Sequence, residues 1–60
     1  MSKLKQVRLK LKIRQAELAR MLNISRASVN ITEKAGIHYT ATAKRYARAL
    51  GCKPSDLLEV

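Results

Sequence analysis

The sequence predicts an all-α fold, a compact bundle of five short helices. Three observations carry this. Apolar residues recur at three- and four-residue spacings in separate stretches. Residues that start or stop helices fall between those stretches: Asn23, Ser25, Gly36, Gly51 and Pro54. The connections are short, about two to six residues, as in small helical globules. The 60 residues read as one domain, 1–60, with no repeat, low-complexity stretch or linker. A chain this short buries only about 60% of its unfolded surface, so a partner or ligand would add usefully to its stability.

The first element holds an ambiguity. "LKLKI", Leu9 to Ile13, alternates like a strand. Leu4, Val7 and Leu11 compete at helical spacing, the residue types favour helix, and no Gly or Pro follows to turn a hairpin. A helix from Lys3 to Leu11 is expected. "RQAELARML" is the second helix, with Gln15, Leu18, Ala19 and Leu22 on one face and Glu17 near its positive end. Asn23 tolerates the left-handed conformation that ends helices. Ser25 is the N-cap of a third helix running to Ala35. Gly36 stops it, "IHYT" forms a loop, and Thr40 is the candidate N-cap of a fourth. Ala43, Tyr46, Ala47 and Leu50 are that helix's apolar stripe, and Gly51 ends it. Pro54 suits the first position of a short fifth helix, which returns Leu57 and Leu58 to the core.

Charge narrows the function. Thirteen Lys and Arg stand against four Asp and Glu. Asp56 and Glu59 lie in the last five residues, so residues 1–53 carry 13 basic and 2 acidic groups, a formal +11. Such a balance opposes compaction and suits a polyanion, nucleic acid or an anionic membrane. Two aromatic residues, Tyr39 and Tyr46, are too few for a platform that stacks single-stranded bases. One cysteine, Cys52, allows no intrachain disulfide and fits a reducing, cytoplasmic setting. No stretch reads as a membrane span or a signal peptide. One Cys and one His, with no neighbouring acid and no glycine-rich phosphate loop, argue against an enzyme, a zinc site or any cofactor.

Residues 15–33, "QAELARMLNISRASVNITE", then stand out by spacing: Gln, Leu-Ala, Ile-Ser, Val and Glu. This pattern resembles the helix-turn-helix of the Cro/repressor (Xre-type) family of lambdoid phages, with the motif at about 15–34. The basic first helix and "AKRYARALGCKPSDLL" extend the resemblance to residues 4–58. The family's glycine at the turn is Asn23 here, the best non-glycine substitute for a positive φ. Ala19 is small because two helices cross there, and Leu18, Leu22, Ile24 and Val29 lock their angle. The resemblance implies a lambda-repressor-like domain whose third helix enters the DNA major groove.

A helical wheel turns Ser25, Val29 and Thr32 inward and Ala27, Asn30, Ile31 and Lys34 outward, with Arg26 at the edge. Arg26, Ala27, Asn30 and Ile31 are therefore the candidate base contacts. Arg26 can fork onto guanine, Ala27 can touch a thymine methyl, and Asn30 can pair with adenine. A phosphate contact by Arg26 and simple solvation of Asn30 are the alternatives. Ile31 stands one position before the family's usual apolar residue; it faces the groove or a partner subunit, or turns into the core. Candidate backbone contacts are Arg14, Gln15, Lys34, His38, Tyr39, Thr40 and Lys44. The resemblance implies that Gln15 clamps a phosphate and that Arg8 and Glu33 form a partly buried ion pair. The expected partner is double-stranded DNA, met as a homodimer that in many relatives forms only on DNA. Leu58, Val60 and the loop around Ile37 are the candidate dimer surface. No membrane or small-molecule substrate is expected. The leading expectation is a transcriptional repressor on a palindromic operator. An antitoxin with the same fold and a small basic RNA-binding protein are the alternatives.

Overall fold

The computed structural model describes all residues 1–60. It contains four α-helices: α1 (Lys3–Lys10), α2 (Gln15–Leu22), α3 (Arg26–Ala35) and α4 (Thr40–Leu50). The expected fifth helix is a single 3-10 turn, Pro54–Asp56. Pro54 opens it as anticipated. Only two residues separate Pro54 from Leu57, whose fully buried side chain fixes the chain's direction before a second turn can form. No β-sheet is present; one parallel bridge joins Ile37 to Leu58.

The core comprises Leu4, Leu18, Ala19, Val29, Ile37, Ala43, Tyr46, Ala47, Leu50 and Leu57. Every helix contributes, and Ile37 and Leu57 seal the open end from the loops. The stripe on α1 is shorter than its spacing suggested. Leu4 is buried and Val7 half-buried, but Leu11 is exposed, because α1 ends at Lys10 and Arg8 takes the next inward position. Ser25 is also exposed; it caps α3 and does not face the core. Tyr39, not Thr40, is the N-cap of α4, and Thr40 is its first helical residue. Ile37 lies in the core at 1% exposure, which removes its side chain from the candidate dimer surface.

Three of the helices end alike. After α2, Asn23 adopts φ 58°, so that the Ile24 N–H reaches the Ala19 carbonyl (2.9 Å). After α4, Gly51 adopts φ 71° and the Cys52 N–H reaches Ala47 (3.1 Å). The end of α1 uses Lys12 at φ 59°, with Ile13 N–H donating to Arg8 (3.1 Å). Lysine carries no sequence signal for that conformation. Its burden is offset by Ile13, which the turn directs onto the core.

Candidate nucleic-acid interface

α2 and α3 form the corner on which the site rests. Ala19, 4% exposed, lets the two helices approach, and Leu18 and Val29 are fully buried at their crossing. The left-handed Asn23 turns the chain, and Ser25 then starts α3 by accepting from the Ser28 N–H (3.1 Å). With Val29 and Glu33 inward, the flank of α3 carrying Arg26, Ala27, Ile31 and Lys34 is exposed. Ile31 is 66% exposed, so it does not turn into the core. Asn30 is half-buried at the edge of this flank.

The helix ends divide into two kinds. At α1, Ser2 accepts from the Lys5 N–H (3.2 Å) and Glu59 from the Lys3 N–H (2.6 Å). At α3, Ser25 does the same work. The N-termini of α2 and α4 receive no side-chain acceptor at their own N–H groups. Glu17 accepts only from the Arg14 N–H (3.0 Å), and the Arg14 guanidinium has no lone pair to offer. The first N–H groups of α2 and α4 are thus open toward solvent, where helix ends attract anions. Arg14 is exposed beside the first of these ends. Tyr39, Thr40 and Lys44 are exposed at the second. His38 is an exposed loop residue whose Nε2 lies 3.1 Å from the Ala35 carbonyl.

Arg8 and Glu33 meet beneath this surface, at 7% and 4% exposure. Arg8 Nε and Nη2 both donate to the Glu33 carboxylate, and Nη1 donates to the Ile13 carbonyl (2.7 Å). The Gln15 amide nitrogen joins them. It donates to Glu33 Oε1 (3.0 Å) and to Asn30 Oδ1 (3.2 Å). A buried guanidinium, a carboxylate and two amides thus run from the core to the α3 flank, and no buried side-chain polar atom lacks a partner. The Gln15 link to Asn30 escapes sequence reading, because wheels treat each helix alone. Lys5 and Ser2 are further additions. They share one concavity with Asn30 and Lys34, placing the start of α1 beside this flank of α3. Only the charge of Lys5 hinted at this.

The electrostatics are one-sided for a definite reason. All four carboxylates are engaged internally: Glu33 with Arg8, Glu17 with Arg14 N–H, Asp56 with Lys53 N–H and Glu59 with Lys3 N–H. Arg8 is in the one ion pair, which leaves 12 of the 13 Lys and Arg without a carboxylate partner. Burial, and then the Asp56 charge, push the Cys52 thiol above its ordinary pKa. No cluster of three His, Cys, Asp or Glu could hold a metal, and no helix is long and apolar enough to cross a membrane.

Neither a curated protein nor a solved structure matches this chain. A family model does, and it spans the helical corner, the ion pair and both open helix ends together. Matched over residues 3–60, the chain belongs to the Cro/C1-type helix-turn-helix DNA-binding domain family.

Proposed function

We propose that the chain is a sequence-specific transcriptional regulator, a repressor that occupies a palindromic operator as a two-fold dimer. One observation carries this reading: an α3 flank of exposed side chains lies beside the α2 N-terminus, joined to it by the Gln15–Asn30 contact, in a chain where 12 of the 13 Lys and Arg have no carboxylate partner. The flank supplies base readout through Arg26, Ala27, Asn30 and Ile31. The helix ends, with Arg14, Gln15, Lys34, His38, Tyr39, Thr40 and Lys44, supply phosphate contacts that set register. Arg8 and Glu33 hold the flank in place from behind. The work is binding, with no catalytic step and no cofactor, in a cytoplasmic setting.

Selection of bound duplexes from a random pool, at a stated salt concentration, tests the reading. A palindromic consensus is expected, and structured RNA should compete poorly. Arg26→Ala should cost about 1–3 kcal/mol and relax one base position, whereas Lys44→Ala should weaken all sequences alike. Equal retention of every duplex, or tighter binding to the RNA competitor, would overturn it.

A further inference from the structure

The side chain of Gln15 stands at the start of α2, where the resemblance implies a phosphate clamp, yet its donors point into the protein. Glu33 only accepts, so the group that Gln15 presents to it is NH2. Charge thereby settles an amide orientation that shape leaves ambiguous. That nitrogen carries two hydrogens. It has two acceptors, Glu33 Oε1 at 3.0 Å and Asn30 Oδ1 at 3.2 Å. What remains is the Gln15 carbonyl oxygen, an acceptor with nothing to offer a phosphate oxygen. The backbone N–H groups that open α2 are different, since no side chain accepts from them. Glu33 is held in turn by Arg8, so the Gln15 amide is anchored on its buried side.

We infer that Gln15 meets a phosphate through its backbone N–H alone, and that its side chain is a positioning residue that sets the direction of Asn30. Asn30 is half-buried at the edge of the α3 flank. The terminal torsion of an unheld asparagine amide is broad. Accepting from Gln15 turns the Asn30 oxygen toward α2. The second lone pair of that oxygen and both hydrogens of the Asn30 NH2 stay available to a base. The contact therefore leaves the choice of base open and lowers the cost of immobilising the amide on binding. The inference rests on the proposed DNA reading and changes the work given to the Gln15 side chain: discrimination at one base pair, not grip on every sequence.

Gln15→Met keeps the side chain's length and the backbone N–H, and removes the amide. It is compared with Asn30→Ala and with the double variant, each first shown to melt cooperatively. Affinities are read on the duplex selected by the parent and on a random-sequence duplex, at one salt concentration. Gln15→Met should weaken the selected duplex by roughly two- to tenfold, the cost of ordering one freed side chain. The random duplex should stay within about twofold, because the backbone contact persists. The double variant should discriminate no worse than Asn30→Ala, because Gln15 acts through Asn30. Equal weakening of both duplexes would put the side chain on a phosphate and overturn the inference. So would unchanged affinity for the selected duplex, or full additivity of the two substitutions. Should Gln15→Met not melt cooperatively, solvent exchange of the Gln15 side-chain amide protons in the parent decides. Both are already bonded inside the protein, so a random-sequence duplex should not slow their exchange, and slowing would overturn the inference. If the parent selects no consensus, the DNA reading itself falls and the inference falls with it.

Discussion

α1 and the α2–α3 corner are both held to the core, but by different forces. The corner is apolar at its centre: Leu18, Ala19 and Val29 are buried, with Leu22 and Ile24 packed at the edge. α1 has one fully buried apolar side chain, Leu4, with Val7 beside it. It is fastened instead by polar contacts. Arg8 reaches Glu33 and the Ile13 carbonyl, and the Glu59 carboxylate accepts from the Lys3 N–H. The corner should tolerate changes of charge and suffer from changes of volume; α1 should behave the opposite way. This leaves exposed positions of the helix to Lys5 and Lys10, with Lys12 exposed just beyond its end.

The strongest break is at the ion pair. Glu33→Gln leaves the Arg8 charge buried and incompletely answered, which should cost about 3–5 kcal/mol. Domains below about 70 residues rarely hold more than that in total, so the variant should be largely unfolded by circular dichroism at room temperature. If it melts with the parent, α1 is not charge-fastened. Arg8→Met with Glu33→Leu sharpens the same point. It removes both charges, and its loss should be far smaller than that of Glu33→Gln alone.

Next is the strap that returns the C-terminus to α1. Gly36 has φ 81° and ψ 165°, a region that is essentially glycine's alone. A Cβ there would lie 2.8 Å from Glu59 Cγ. That side chain can swing aside, but then it leaves the α1 N-terminus. Gly36→Ala should destabilise by about 1–3 kcal/mol, mostly from backbone strain. Chemical denaturation should show a lower midpoint with an unchanged slope. Glu59→Gln isolates the milder part. It keeps an acceptor for Lys3 N–H and loses only the charge at the positive helix end. About 0.3–1 kcal/mol is expected, shrinking as salt is added. An unchanged stability would mean that the hydrogen bond, which glutamine retains, and not the charge fastens α1.

The corner was the legible part of the sequence. Its turn rests on Asn23, its cap on Ser25 and its crossing on Ala19, and each is a local choice with one structural meaning. α1 was legible only in part. Periodicity placed Leu11 inward, but a helix one residue shorter ends with Lys12 left-handed, and lysine gives no warning of that. The ion pair came from family resemblance, since no spacing rule links residues 25 positions apart. The Gln15–Asn30 contact was invisible for the same reason. Its two helices each looked complete, and their relative rotation is set by Ala19 and Val29, not by either residue. The candidate base contacts were readable as a face of α3, while the contact that orients the Asn30 amide needed three dimensions.

The smallest stability effect should come from the residue that looks most like core. Ile31 is a large aliphatic side chain in the middle of α3, and its removal from a core would cost roughly 2–5 kcal/mol. It stands 66% exposed on the flank that carries Arg26 and Ala27. Truncation there removes little buried area, and alanine favours helix more than isoleucine does. Ile31→Ala should therefore melt within about 0.5 kcal/mol of the parent. Its effect belongs in binding, where loss of an apolar contact to thymine methyls should weaken affinity for the selected duplex more than for random DNA. Unchanged stability with altered discrimination places Ile31 in the groove. A large drop in stability would return it to the core and rotate the whole recognition face of α3 away from Asn30 and Lys34.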